Sequence, residues 1–212
     1  MTLRDNLRMR PVFRFDTNSP YAYLAATRVS AILGPDIEWR PIAFAFVLRA
    51  QDRRPWSFDE STRSVGVAEC EARAAARGLP PLRWPPGFPV ESYSLEPLRA
   101  ITAAIAHERE QALARVLFER NFVAGEGVRR TGAVRECWVQ VGLDSASYDA
   151  EIAEAKPVLA AETSRAITEG VYGVPTVTVG DTHFWGDDQL EAAARAAASP
   201  TAGPHVGRPS SP

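Results

Sequence analysis

Ser19 and Pro20, inside the segment FDTNSPYAYL from Phe15 to Leu24, are the residues whose type and spacing best suit chemistry. Asp16, Thr17 and Asn18 supply a polar turn, Ser19 is the natural N-cap and Pro20 the natural first residue of a helix. A helix start leaves backbone N–H groups unpaired and carries about half a positive charge, so it stabilises an anion laid over it. The same Ser-Pro pair is also an ordinary way to begin a helix without any chemistry. Direct attack by Ser19 has little support, because a serine nucleophile needs an adjacent base. The three histidines, His107, His183 and His205, fall in a middle helical segment, a hairpin and the tail.

A second segment, GVYGVPTVTVGDTHFWGDDQL from Gly170 to Leu190, holds two β-rich runs, Thr176 to Val179 and Thr182 to Trp185. Gly180 and Asp181 between them suit a tight hairpin. Pro175 opens the first run. A trans proline there removes no ladder bond, whereas a cis Val174–Pro175 bond, disfavoured by only about 0.5–1 kcal/mol, would turn the Val174 N–H and C=O outward as an edge. Both isomers fit the sequence. Asp187 and Asp188 are placed to cap the closing helix.

These residues need a scaffold, and the hydrophobic pattern outlines one. Pro11 to Phe15 and Ile37 to Ala43 predict strands, and Tyr21 to Leu33 carries apolar residues at helical spacing up to Gly34 and Pro35. Helices are predicted for Ser64 to Arg77, Leu95 to Glu108, Gln111 to Phe122 and Ala133 to Val141, followed after Asp144 by two stretches interrupted at Pro157. The proline-rich connector GLPPLRWPPGFPVE predicts an extended path that either covers a helix or shapes a pocket.

The order of elements, SPY at a helix start, GVPT before a hairpin, and FWG followed by acidic residues, resembles the DsbA-like thioredoxin-fold family. The closer likeness is to its 2-hydroxychromene-2-carboxylate isomerase and kappa-class glutathione transferase branch. The resemblance implies an α/β thioredoxin-like fold with an all-helical insertion between its βαβ and ββα halves. The thioredoxin-like domain would comprise residues 11–45 and 165–198, the insertion 46–164, and a disordered tail 199–212. Redox members begin the first helix with Cys, two residues and Cys; here Ser19, Pro20, Tyr21 and Ala22 occupy those places. The resemblance therefore implies a borrowed sulfur, from glutathione or another low-molecular-weight thiol, with its thiolate hydrogen-bonded by Ser19. Lowering a thiol pKa of ~8.5 by ~2 units needs about 2.7 kcal/mol, within reach of a helix start at up to ~2 and a charge-assisted hydrogen bond at roughly 1.5–3 kcal/mol.

On the same footing, Val174 and Pro175 would hold the cysteinyl part of the thiol, and Asp187, Asp188 and Gln189 the γ-glutamyl end. Gln189 and Glu91 depart from the Arg and Asn usual in such proteins. Tyr21, Tyr23 and Trp185 would line a slot for a small aromatic substrate and Arg63 would face its carboxylate, although core packing and a surface position are the ordinary alternatives. The implied activity is thiol-dependent isomerisation of an aromatic-degradation intermediate by reversible thiolate addition. A kappa-like transferase, or a non-catalytic peptide-binding or chaperone-like module, are the alternatives. A homodimer is also implied.

Composition sets outer bounds. At 212 residues, 45% apolar and with net charge −2, the chain can bury a sizeable core and lacks the basic excess of a nucleic-acid binder. No run approaches the ~18 apolar residues of a membrane span, and residues 1–10 carry Arg without an apolar stretch, so a cytoplasmic enzyme is expected. Cys70 and Cys137 match neither a disulfide framework nor a metal site and are expected as small buried residues.

Overall fold

The computed structural model describes residues 10–89 and 94–199. Glu91 and the tail beyond Ser199, both read from the sequence above, lie outside the described residues. Four strands form one sheet in the order β2-β1-β3-β4. Strand β1 (Val12–Phe15) runs parallel to β2 (Glu38–Pro41) and antiparallel to β3 (Thr176–Val179), which pairs antiparallel with β4 (Thr182–Trp185). The hairpin falls on the predicted residues, with Gly180 at φ +57°, a conformation glycine adopts without steric cost.

The faces of β1 differ in kind. Phe13 and Phe15 point to one side, where they stack on each other and meet Trp39 edge-on at 4.9 and 5.4 Å between ring centres. Arg14 points to the other and is only 2% exposed. Its guanidinium donates to Thr178 Oγ1 at 2.8 Å and pairs with Glu169 at 2.6 Å and Glu162 at 3.3 Å. A buried cation without such partners would be strongly destabilising.

Helices α1 (Pro20–Ala26) and α2 (Val29–Leu33) connect β1 to β2. The single helix expected from Tyr21 to Leu33 is broken because Arg28 leaves helical geometry, its N–H bonding the Ala25 carbonyl three residues back. The break lets α2 pack on the closing helix α9 (Leu190–Ala198). Between β2 and β3 lie α3 (Phe44–Ala50), α4 (Glu60–Ala76), α5 (Leu95–Ala104), α6 (Glu110–Phe122), α7 (Ala133–Gln140) and α8 (Tyr148–Thr168). Helix α8 is continuous through Pro157, contrary to the expected interruption. Pro157 is exposed, so water can satisfy the carbonyl that loses its helical donor. It also runs past the boundary at residue 164.

Leu113, Phe118 and Phe122 of α6, Ile101 of α5 and Trp138 of α7 belong to the same apolar cluster as Phe13, Phe15 and Trp39. The helical insertion therefore shares its core with the sheet. Cys70 and Cys137 are buried there as free thiols. Among the described residues, no helix is long and apolar enough to cross a membrane.

Candidate active site

Ser19 is the N-cap of α1: its hydroxyl oxygen accepts the Ala22 N–H at 3.2 Å. The Tyr23 N–H goes to the Ser19 carbonyl and Pro20 has no N–H, so most of the helix-start donors are already engaged. With α1 only 7 residues long, the anion-stabilising group at this turn is mainly the Ser19 hydroxyl, whose proton remains free to be donated.

Ser19 is half-buried on the wall of a cavity of about 630 Å³. The opposite wall comes from α3 and the segment after it, with Phe44, Phe46, Trp56 and Phe58, while Phe88 and Pro89 of the proline-rich connector close one side. The connector thus does both things expected of it as alternatives. It shapes the cavity, and through Trp84 it also covers α6, the Trp84 ring lying 6.0 Å from that of Phe122. Arg49 and Arg54 line the cavity and make no ion pair among the described residues. Arg53, also in the wall, stacks on Tyr172 at 3.6 Å and donates to the Tyr172 carbonyl at 2.6 Å.

Asp16, read from sequence only as a turn residue, holds this site together. It lines the cavity, is 4% exposed, and accepts hydrogen bonds from three segments. The Asn18 N–H donates to it at 2.9 Å, the Phe44 N–H at the start of α3 at 3.0 Å, and the Ser94 hydroxyl before α5 at 3.2 Å. Burial pushes its carboxyl above the ordinary value, and these donors oppose that shift. The signal available in sequence was an aspartate three residues before the cap, which turn chemistry alone explained. The stretch FAFVLRAQDRRPW from Phe44 to Trp56, with aromatics among arginines, was a second signal that the helical reading passed over.

The other candidate residues are distributed around this cavity rather than in it. The Val174–Pro175 bond is cis. Because Arg14 pairs with Thr176, Pro175 sits at the same end of the sheet as the Ser19 turn. Val174 is only 6% exposed and packs with Ile42, Val47 and Val171. Tyr21 donates its hydroxyl to Glu69 at 2.7 Å and meets Trp56 edge-on at 5.9 Å, supporting the cavity wall from behind. Burial and the Glu69 carboxylate hold the Tyr21 phenol above its usual range, so it is a neutral donor. Tyr23 is in the core with Phe118 and Phe122. Arg63 on α4 donates to the Ser57 carbonyl at 3.3 Å. Trp185 is 50% exposed and packs edge-on to Tyr172 at 4.5 Å.

Asp187 and Asp188 do not cap α9. The N-cap is Gln189, which makes no side-chain capping bond. Asp187 is fully buried and turned toward α4, where Arg73 pairs with its Oδ1 and Arg77 Nη2 lies 2.5 Å from its Oδ2, close enough for an ion pair though not aligned as a hydrogen bond. Two guanidiniums attract the carboxylate more strongly than one helix turn of exposed N–H groups, which is why the side chain leaves the cap. Asp188 is exposed.

Residues 12–198 match the DSBA-like thioredoxin domain, and the chain belongs to that family. It is 28% identical over 187 residues to a 2-hydroxychromene-2-carboxylate isomerase of Sphingobium xenophagum, covering 84% of this chain and 93% of the relative. A solved 2-hydroxychromene-2-carboxylate isomerase superposes with a TM-score of 0.78 at 23% identity, over 89% of this chain and 94% of that one. A probable DsbA oxidoreductase from Streptomyces coelicolor superposes with a TM-score of 0.69 at 19% identity, over 89% of this chain and 88% of that one.

Proposed function

We propose that this member of the DSBA-like thioredoxin family is a thiol-dependent isomerase of the 2-hydroxychromene-2-carboxylate type. The observation that carries the reading is Ser19: at the place where redox relatives carry a sulfur, it presents a capped hydroxyl with a free proton to a large cavity with aromatic walls. When bound, a low-molecular-weight thiol, glutathione first among the candidates, supplies a nucleophilic sulfur that adds reversibly to a conjugated double bond.

The chain's own residues fit such a guest. Ser19 donates to an anionic sulfur and favours it by roughly 1.5–3 kcal/mol. Phe44, Phe46, Trp56 and Phe58 offer ring faces to an aromatic substrate and exclude water from it. Arg49 and Arg54 are cations in the same walls that can meet carboxylates of thiol or substrate. Asp16 fixes the turn before Ser19 against α3 and the start of α5, which keeps hydroxyl and aromatic wall in register. Val174 is buried and outside the cavity, which counts against the peptide-binding alternative that needs it as an open edge and equally against its holding the cysteinyl part of the thiol.

The test is turnover of 2-hydroxychromene-2-carboxylate with sub-stoichiometric glutathione. Product formation without loss of thiol is expected, and Ser19→Ala is expected to lower kcat/KM by about ten- to a hundredfold, the equivalent of that one hydrogen bond. Thiol consumed once per turnover would make the protein a transferase. Undiminished turnover in Ser19→Ala would remove the hydroxyl from the mechanism.

A further inference from the structure

A second cavity of about 540 Å³ lies between α3, α5 and α8, on the far side of Phe46 and Arg49 from the Ser19 cavity. Its size is in the range of small-molecule sites, roughly 300–1,000 Å³. Its floor is apolar, from Leu159, Ala160 and Ile167 of α8 and the half-exposed ring of Phe46. Its charged walls are all of one sign: Arg49, Arg99 and Lys156 line it, and no acidic residue among the described residues does. Among the described residues none of the three makes an ion pair. Arg14, Arg28, Arg73, Arg120 and Arg165, by contrast, are each paired with carboxylates. Lys156 is also the only lysine in the sequence.

We propose that this second cavity is a binding site for a small aromatic carboxylate, distinct from the site beside Ser19. The ring system lies on Leu159, Ile167 and Phe46, and the carboxylate is met by Arg99 and Lys156. An apolar floor under unpaired cations selects an anion with an apolar body, because inorganic anions gain nothing from the floor and neutral rings form no charge-assisted pair with the cations. Guanidiniums also stack on aromatic faces, which favours a ring over an alkyl chain. Phe46 and Arg49 belong to both cavities, so a ligand here also touches the wall that faces Ser19.

The experiment is calorimetric titration of the full chain with 1-naphthoate in the absence of any thiol, so that its outcome is independent of the chemistry proposed for Ser19. The binding event at this cavity is expected to weaken at least tenfold in the Arg99→Gln/Lys156→Gln double variant and to persist in Arg54→Gln, whereas any binding beside Ser19 responds to Arg54→Gln and not to the double variant. Naphthalene-1-methanol, octanoate and inorganic phosphate are each expected to bind at least tenfold more weakly than 1-naphthoate. As a second measurement, an amine-reactive ester should modify Lys156, read by mass spectrometry, and 1-naphthoate should slow that modification. Absence of binding, loss in Arg54→Gln with none in the double variant, or equal binding of the alcohol, the fatty acid or phosphate would overturn the proposal.

Discussion

The starts of α1 and α9 are close counterparts, since each follows a strand of the same sheet and each has a buried aspartate beside it. Asp16 is satisfied by two backbone N–H groups and a hydroxyl, none of them charged, and Ser19 next to it remains open to a cavity. Asp187 is held by the guanidiniums of Arg73 and Arg77, and that corner is closed. The difference lies in what faces each turn. Asp16 looks onto the ends of α3 and α5, which converge without filling the space between them, whereas Asp187 looks onto the side of α4. Neutral donors hold a carboxylate while leaving the neighbourhood open, and paired cations close it with their own bulk. The two corners communicate through α4, where Arg73 pairs with Glu69 at 2.5 Å and Glu69 accepts from the Tyr21 hydroxyl.

If the α9 corner is a structural clamp, Asp187→Ala should give the largest loss of stability, about 3–5 kcal/mol, because two partly buried guanidiniums lose their carboxylate. Urea denaturation measures it, and a loss below about 1 kcal/mol would show that Arg73 and Arg77 find other partners. Asp16→Asn should cost less, roughly 1–3 kcal/mol, since an amide cannot accept from all three donors at once. It should also disturb the Ser19 cavity, read as weaker thiol binding.

The Asp16 carboxyl adds a pH signature. Burial raises its pKa above the ordinary 3.8, so the folded chain keeps that proton where the unfolded chain has released it. Its contribution is complete below the ordinary value and is lost as pH rises through the raised one. The stability difference between the parent protein and Asp16→Asn should therefore be larger at about pH 3.5 than at pH 7. A constant difference would mean that the three donors cancel the effect of burial.

The smallest effect concerns the sulfur atoms the chain does possess. Burial pushes the Cys70 thiol up to about 12, and burial raises Cys137 as well. At pH 8 only about one part in 10⁴ of Cys70 is thiolate, so neither cysteine should react with an aromatic disulfide reagent until the protein is unfolded in urea. Rapid reaction in the folded state would place a reactive sulfur of its own in the chain and weaken the case for a borrowed one.

Local rules carried the sequence a long way where local forces dominate. The Ser19 cap, the Gly180–Asp181 hairpin and the existence of α4 to α7 were legible, because residues one to four positions apart decide each of them. Asp187 does not cap because the local capping rule meets two cations more than a hundred residues away in sequence. The break after Ala26 and the continuity through Pro157 depend likewise on what packs, or does not pack, against each helix.

By itself, the sequence determined the order of elements, the absence of cysteine at the first helix start, and the likeness to the DSBA-like thioredoxin family. Only the tertiary structure decided that Ser19 opens on a cavity, that Asp16 organises it, and that Arg49, Arg54, Arg99 and Lys156 make no ion pair among the described residues. A cavity is a property of surfaces from segments far apart along the chain, and whether a buried charge is paired depends on every neighbour at once, so neither can be read from spacing alone.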